Sequence, residues 1–243
     1  MFRKISSISF DNAYRFPEDD GFRHEVKYTL TPYEHRKFKG ICEGFMDCDI
    51  NAGETGQYTV KSYYFDTLFF HDYTEKLDGL YARQKYRLRT YGDTGYYRLE
   101  KKIKKGNLNK KISGDISMEN ANMLVNGYTD ITTGNETTDA IIREMHLRGC
   151  RNQAYIEYVR QVFIIKEFDI RITFDEDIKT LFGNHALNDN MLVPVPVFYK
   201  GETILEIKYK EILPQWLQRA IFKIIPSEYS VSKYAHSLSY FLG

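Results

Sequence analysis

Nowhere does the 243-residue sequence hold an apolar run approaching the roughly 20 residues that a membrane-spanning helix requires. Its opening, MFRKISSISF, lacks the apolar centre of a secretion signal. Cysteine is scarce. Cys42, Cys48 and Cys150 stand at no metal-ligating or redox spacing, and a count of 3 leaves room for one disulfide at most. Charge of one sign is not in excess either: 34 Lys and Arg face 33 Asp and Glu, for a net +1. Any anion-binding surface must therefore come from local segregation of charge. No repeat, low-complexity tract or linker divides the chain. These absences predict a soluble, cytoplasmic protein with free thiols, built as a polar arm over residues 1–21 followed by one domain over 22–243.

What the chain does have is aromatic residues, 20 Tyr and 16 Phe, which favour strands. Strands are expected at 22–30, 58–66, 80–91, 95–104, 154–164, 168–175 and 203–210, with 193–198 an edge strand or extended loop because its prolines remove ladder donors. Gly92-Asp93-Thr94-Gly95 suits a hairpin turn. Thr31, Pro32 and Glu34 form a capping box that opens a helix running to about Gly44. Further helices are expected at 117–126, at 137–148 and between Pro214 and Pro226, and the ending SVSKYAHSLSYF reads as a loop entering a short helix.

Side chains in a strand alternate between faces, so residues two apart share one. Arg23, Glu25 and Lys27 then align, as do Lys85, Arg87 and Arg89, with Tyr86 and Leu88 opposite. Arg98, Glu100 and Lys102 align opposite Tyr97 and Leu99. Glu206 and Lys208 align opposite Leu205, Ile207 and Tyr209. Tyr158 with Arg160, and Arg171 with Thr173 and Asp175, repeat the pattern. One such strand is an ordinary amphipathic strand with its charges in water. Five or more whose charged faces are mainly basic are different: two cations ~4 Å apart repel by about 4 kcal/mol at an effective dielectric near 20. A chain of phosphates would compensate them, and Arg meets phosphate oxygens in bidentate fashion. If the sheet closes, its polar face lines a tunnel and its apolar face lies under helices.

The ordered motifs R-x-E-x-K-Y, S-Y-Y-F-D, R-x-R, L-E-x-K, I-L-E-I-K-Y and S-K-Y resemble the polyphosphate polymerase domain of the vacuolar transporter chaperone (VTC) family. That family is part of the triphosphate tunnel metalloenzyme, or CYTH, superfamily. The resemblance spans about residues 22–240. It implies an α+β fold: a closed antiparallel β-barrel of about eight strands with helices packed outside. It also implies transfer of the γ-phosphoryl group of a nucleoside triphosphate onto a polyphosphate chain inside the tunnel. By position in the motifs, Lys27, Arg87, Arg89, Lys102, Arg160 and Arg171 are similar to the tunnel residues that act on the phosphates. Lys111 (with Lys110 competing for its place), Lys208, Ser232 and Lys233 are similar to further substrate contacts. Glu206 resembles the metal-binding glutamate, and Glu25 and Glu100 are the other carboxylates available to Mn²⁺ or Mg²⁺. The hydrolase branch opens with E-x-E-x-K. Arg23 stands here at the first Glu, which tilts the resemblance toward the polymerase-like branch.

Three functions follow as expectations: a polyphosphate polymerase-like phosphotransferase, a metal-dependent tripolyphosphatase or nucleoside triphosphatase, and a non-catalytic polyphosphate-binding module. Nucleic acid is not expected as a partner, because the aromatics alternate away from the basic face. Translocation would call for a separate membrane-protein partner. Of the remaining residues, Lys61 and Lys85 are expected at the surface and Lys104 and Lys105 at a tunnel rim. His24 is expected to be structural, and His71 and His146 have no partner at ligand spacing. Asp66 is expected to hydrogen-bond at a strand end, and Asp175 is left open. The tyrosines opposite the basic positions are expected on the barrel exterior and in the core.

Overall fold

The computed structural model describes residues 21–49, 52, 56–187, 193–225 and 231–243. The arm expected over 1–21, apart from Gly21, and the helix-bounding Pro226 lie outside the described residues.

Local signals open the helices. Helix α1 (Pro32–Phe45) begins at the expected capping box, where the Glu34 carboxylate accepts the Thr31 N–H at 2.7 Å and Thr31 Oγ1 accepts the Glu34 N–H at 3.3 Å. Ser117 caps α3 (Met118–Val125) and Asn135 caps α4 (Glu136–Leu147) in the same sense. Two more helices, α5 (Gln215–Ile224) and α6 (Lys233–Leu242), follow the last strand, and a short α2 (His71–Leu77) joins two strands.

Eight antiparallel strands close into a barrel: β1 (Arg23–Leu30), β3 (Gln57–Asp66), β4 (Ala82–Tyr91), β5 (Tyr97–Lys105), β6 (Leu108–Ile116), β7 (Arg151–Ile165), β8 (Ile170–Phe182) and β10 (Thr203–Tyr209). They run in the order β7-β3-β4-β5-β6-β1-β10-β8, and pairing of β8 with β7 completes the ring. Two-residue strands β2 (Asp47–Cys48) and β9 (Val195–Pro196) lie against β7 and β8. Closure leaves no long edge exposed.

The barrel is apolar outside and charged inside. One outer core joins Tyr63, Phe65, Tyr86, Leu88, Tyr97 and Leu99 to Leu124 of α3 and to Ile141, Ile142 and Met145 of α4. A second joins Tyr28, Phe163, Ile172, Phe174, Leu205 and Ile207 to Phe38 of α1 and to Leu217 and Ile221 of α5. Tyr234 and Leu238 of α6 behave differently. They pack with Val60, Tyr64, Ile156, Tyr158 and Ile204, residues of the inner parity on β3, β7 and β10, so α6 covers that side of one end of the barrel and leaves the β4–β5–β6 side uncovered.

The expected strand list needs one addition. The segment 193–198 is an edge strand as expected, contributing only Val195–Pro196 because its prolines cannot complete a ladder. The eighth barrel strand is β6, which has few β-formers and a glycine, Gly114. It is fixed by pairing along its whole length with β5 and at its start with β1. Gly114 answers to a packing need: a Cβ there would run into Thr138 Oγ1 and Asn135 Oδ1 at the start of α4. Helix α2 was also unexpected, being a single short connection that carries little periodicity.

Candidate functional site

Directly paired residues of antiparallel strands point to the same face, so the registers define the tunnel lining. Lys27 pairs with Glu206, Glu25 with Lys208, and Lys208 with Arg171. Arg87 pairs with both Glu100 and Tyr64, and Arg160 with Asp175. Lys102 lies between Lys85 and Lys111. With Arg89 and Lys233 the central stretch holds ten cations: Lys27, Lys85, Arg87, Arg89, Lys102, Lys111, Arg160, Arg171, Lys208 and Lys233, while Arg23, Arg83, Arg98 and Lys104 share the inner face toward its ends. Four carboxylates of the barrel strands stand against the ten, Glu25, Glu100, Asp175 and Glu206, with Asp49 a fifth, at Arg171.

Each of the four gathers several cations. Lys27 bonds both Glu25 and Glu206. Lys102 reaches Glu25 at 2.6 and 2.7 Å, and Lys208 reaches Glu206 at 2.5 Å. Glu100, with no side-chain exposure, takes Arg87 at 2.6 Å, Lys111 at 3.0 Å and Arg89 at 3.8 Å. Asp175, equally buried, takes Arg160 at 2.6 and 2.8 Å and Lys233 at 2.5 Å. Arg171 turns to Asp49 at 3.3 Å.

Burial pushes these carboxyls up, but the cations outweigh it. Glu100 and Glu206 are held well below the usual range, and Asp175 is lowered to about 2 by Arg160 and Lys233. Two lysines show the opposite imbalance. Burial, then Lys102, brings Lys85 down to about 7. Burial outweighs Glu25 and brings Lys102 down to about 8. Some buried polar atoms have no partner among the described residues: Arg89 Nε, Ser62 Oγ and Thr173 Oγ1, all at inner positions. An interior with excess positive charge and spare hydrogen-bonding groups suits an anion rich in acceptor oxygens.

Every candidate site residue except Ser232 therefore lies in the tunnel, in ion-paired groups around Glu25 and Glu206, Glu100, Asp175 and Asp49, and Ser232 caps α6 beside them, accepting a hydrogen bond from Lys85 Nζ at 2.8 Å. Lys111 faces Glu100, whereas Lys110 points the other way, over the Phe22 ring, so Lys111 is the tunnel lysine. Glu25 and Glu206 meet at Lys27. Glu100 stands apart with Arg87 and Lys111 instead of joining them. Glu25 and Glu206 together offer the hard oxygen donors that suit Mn²⁺ or Mg²⁺.

Lys85 corrects a surface expectation: its parity with Arg87 carries it into the tunnel. Tyr86, Tyr97 and Tyr209, opposite the basic positions, lie in the outer cores as expected, Tyr158 shares the inner face with Arg160 as aligned, and Tyr58, Tyr64 and Tyr91 also face inward. Tyr64, Tyr158 and Tyr58 hydroxyls accept from Arg87 at 3.4 Å, Arg89 at 3.3 Å and Arg171 at 3.3 Å. Tyr91 sits two residues beyond Arg89, a parity signal readable in the sequence.

Lys61 lies on the outer face with Asp93, as expected, and His24 stacks on Tyr209. His71 has neighbours after all: its ligand atom lies within 4.8 Å of those of Asp72 and Glu75, although Asp72 is already bound by Arg148 at 2.6 Å. Asp66 accepts from the N–H groups of Thr67, Asp72 and Tyr73 at 2.7–3.1 Å and from Tyr234 Oη at 2.8 Å, tying α2 to α6. A cavity of about 640 Å³ lined by Lys61, Tyr63, Thr90 and Glu157 belongs to the outer face, not to the tunnel.

Fold and site together define a closed tunnel barrel whose inner wall is mainly basic. The chain belongs to the VTC domain family, whose model matches residues 22–242. No curated protein matches the sequence. Among solved structures it is similar to a putative adenylyl cyclase from Hippeastrum, HpAC1, described as having a dominant triphosphatase activity. Identity is 15%, the TM-score is 0.52, and the match covers 88% of this chain and 93% of that one. It is also similar to a putative adenylate cyclase from Bacillus halodurans at 12% identity and a TM-score of 0.48, covering 87% of this chain and 95% of that one. No helix among the described residues is long and apolar enough to cross a membrane.

Proposed function

We propose that this protein is a polyphosphate polymerase-like phosphotransferase, moving the γ-phosphoryl group of a nucleoside triphosphate onto a phosphate chain within the tunnel. The observation that carries the reading is the excess of cations over carboxylates on the inner wall, ten to five in its central stretch, which an extended phosphate ligand would neutralise. Arg87, Arg89, Arg160 and Arg171 cradle the triphosphate oxygens, and Tyr64, Tyr158 and Tyr58 hold three of these guanidiniums in place. Lys27 and Lys233 steer the acceptor into line, and Lys102, Lys111, Lys208 and Ser232 supply further contacts.

An oxygen of the acceptor's terminal phosphate attacks the γ-phosphorus. The bond from that phosphorus to the β–γ bridging oxygen breaks, and its electron pair leaves with the nucleoside diphosphate. The attacking oxygen is already ionised, so no general base is needed and no covalent enzyme intermediate forms. Positioning and charge neutralisation carry the rate. Glu206 and Glu25 would hold a divalent cation, which would supply charge neutralisation to the phosphates; Lys27, which bonds both carboxylates, would have to turn away from them.

Hydrolysis is the alternative, with water in place of the acceptor, and the triphosphatase activity described for the Hippeastrum protein favours it. Against it, Arg23 offers no carboxylate at the first motif position and pairs with Asp169 at 3.5 Å. Incubation with ATP and Mn²⁺ separates the readings. Long polyphosphate supports transfer and free phosphate alone supports hydrolysis. Tight polyphosphate binding without either product leaves a binding module.

A further inference from the structure

Lys85 is the tunnel cation that the ion-pair network leaves without a carboxylate among the described residues. Its ammonium donates to the Ser232 hydroxyl at 2.8 Å and lies 5.2 Å from the centre of the Tyr234 ring, both of them neutral partners. Its register partner is another lysine, Lys102. Two residues nearer the start of β4 and on the same face is Arg83, whose register partner is Lys104. Arg83 Nη1 reaches the backbone carbonyl of Lys76 in the last turn of α2, at 3.5 Å.

The basic row Arg87–Lys85–Arg83 thus runs from the central cradle to the mouth framed by α2 and the β5–β6 hairpin. Same-face residues recur every ~6.6 Å, so the row covers roughly 13 Å. The acids nearby are engaged elsewhere: Asp72 by Arg148 at 2.6 Å and Glu75 by His71 at 3.3 Å. Mutual repulsion is visible in the proton affinities. Lys85 is lowered by burial and then Lys102, with Asp72 opposing and Lys76 and Arg83 adding to the fall. Lys76 is lowered by burial, Arg83 and Lys104.

We propose that Lys85, Lys102 and Arg83 form an outer phosphate subsite, continuous with the central cradle, that holds the non-reacting phosphates of a chain longer than a triphosphate as it passes this mouth. The proposal rests on the reading of the tunnel as a phosphate site and assigns the direction in which the chain leaves it. The neutral bond from Lys85 to Ser232 is one that a phosphate oxygen replaces with a charge-assisted one.

The test is calorimetric titration of the full chain, its Lys85→Gln variant and its Arg83→Gln variant with two probes, tripolyphosphate and polyphosphate of several tens of units. Lys85→Gln should lower affinity for the long chain roughly tenfold more than for tripolyphosphate, and Arg83→Gln roughly threefold more. Equal losses for the two probes would put Lys85 in the central cradle and overturn the subsite, as would no loss for either. If Lys85→Gln fails to fold by circular dichroism, Arg83→Gln decides alone, and absence of a preferential long-chain loss overturns the proposal. A wild-type protein that binds neither probe refutes the tunnel reading itself, a result distinct from these.

Discussion

Glu100 and Arg87 show how differently two partners in one ion pair should respond to removal. Arg87→Ala leaves the Glu100 carboxylate with Lys111 at 3.0 Å and Arg89 at 3.8 Å, so the fold keeps its counter-charges. Tripolyphosphate should then bind about 30- to 100-fold more weakly, the loss of a bond between charged groups worth about 2–3 kcal/mol, while the melting temperature moves little. Glu100→Gln instead strands Arg87, Arg89 and Lys111 around a neutral amide. A loss of about 3–5 kcal/mol is expected, and tripolyphosphate should restore more stability to this variant than it adds to the wild type. Thermal melts with and without ligand check both, and an equal ligand shift in variant and wild type would sink the second. The pH response follows from Lys85 at about 7 and Lys102 at about 8. Both lie below the ordinary lysine value, so the folded protein loses these charges as pH rises through 7–8 while an unfolded chain keeps them. Stability without ligand should therefore increase from pH 7 toward pH 10, the unfolded state binding more protons there. Phosphate binds the charged form, so its affinity should fall over the same interval and its binding near pH 8 should take up protons. Calorimetry in buffers of different ionisation heat reads that uptake directly; no dependence on the buffer would refute it. Alternation alone made Lys27, Arg87, Arg89, Lys102 and Glu206 legible in the sequence. Lys85 shared that alternation and was misplaced because a lone lysine near a strand end is so often at the surface. Tyr158 was legible through its alternation with Arg160, but Tyr58 and Tyr64 could not be read, since their inner position depends on which strand lies beside them.

At the scale of elements, legibility followed local signals. The capping box of α1 and the apolar spacing Ile141, Ile142, Met145 of α4 are written in neighbouring residues, and both helices appear where expected. Strand β6 is held by pairing with residues distant in sequence, and such non-local support leaves no local trace. Helix α6 was legible as a helix but not as a closure, because its role depends on Tyr234 reaching Asp66 across the fold at 2.8 Å. Tyr234→Phe removes one hydrogen bond to a buried carboxylate, which should cost about 1.5–3 kcal/mol. The three backbone donors that remain on Asp66 keep α2 in place, so the loosening should concentrate in α6. Amide exchange should accelerate over Lys233–Leu242 and leave α4 unchanged; unaltered protection of α6 would show that Asp66 does not anchor it.

For the whole molecule, the near-neutral total conceals two opposed charge distributions. Removing the ten cations of the central tunnel and the five carboxylates set against them from 34 and 33 leaves 24 basic and 28 acidic residues elsewhere, an excess of acid. The composition alone could state the total but not this partition, which exists only once the sheet closes with its charged face inward. Access then becomes a matter of shape. A bare phosphate chain is slim enough to enter and meet the cations, whereas a polymer carrying bases or sugars is held outside, against the acidic remainder. Polyphosphate should accordingly bind at least about 100-fold more tightly than single-stranded DNA or heparin of equal charge at physiological ionic strength, a difference of about 2.7 kcal/mol. Because most of the interior charges are buried or half-buried, that preference should persist at higher salt, where contacts on an open surface would fade. Competition between labelled polyphosphate and the two bulky polyanions measures it. Displacement by either at matched charge would mean that the cations are reached from the surface, and the closed tunnel would no longer account for selectivity.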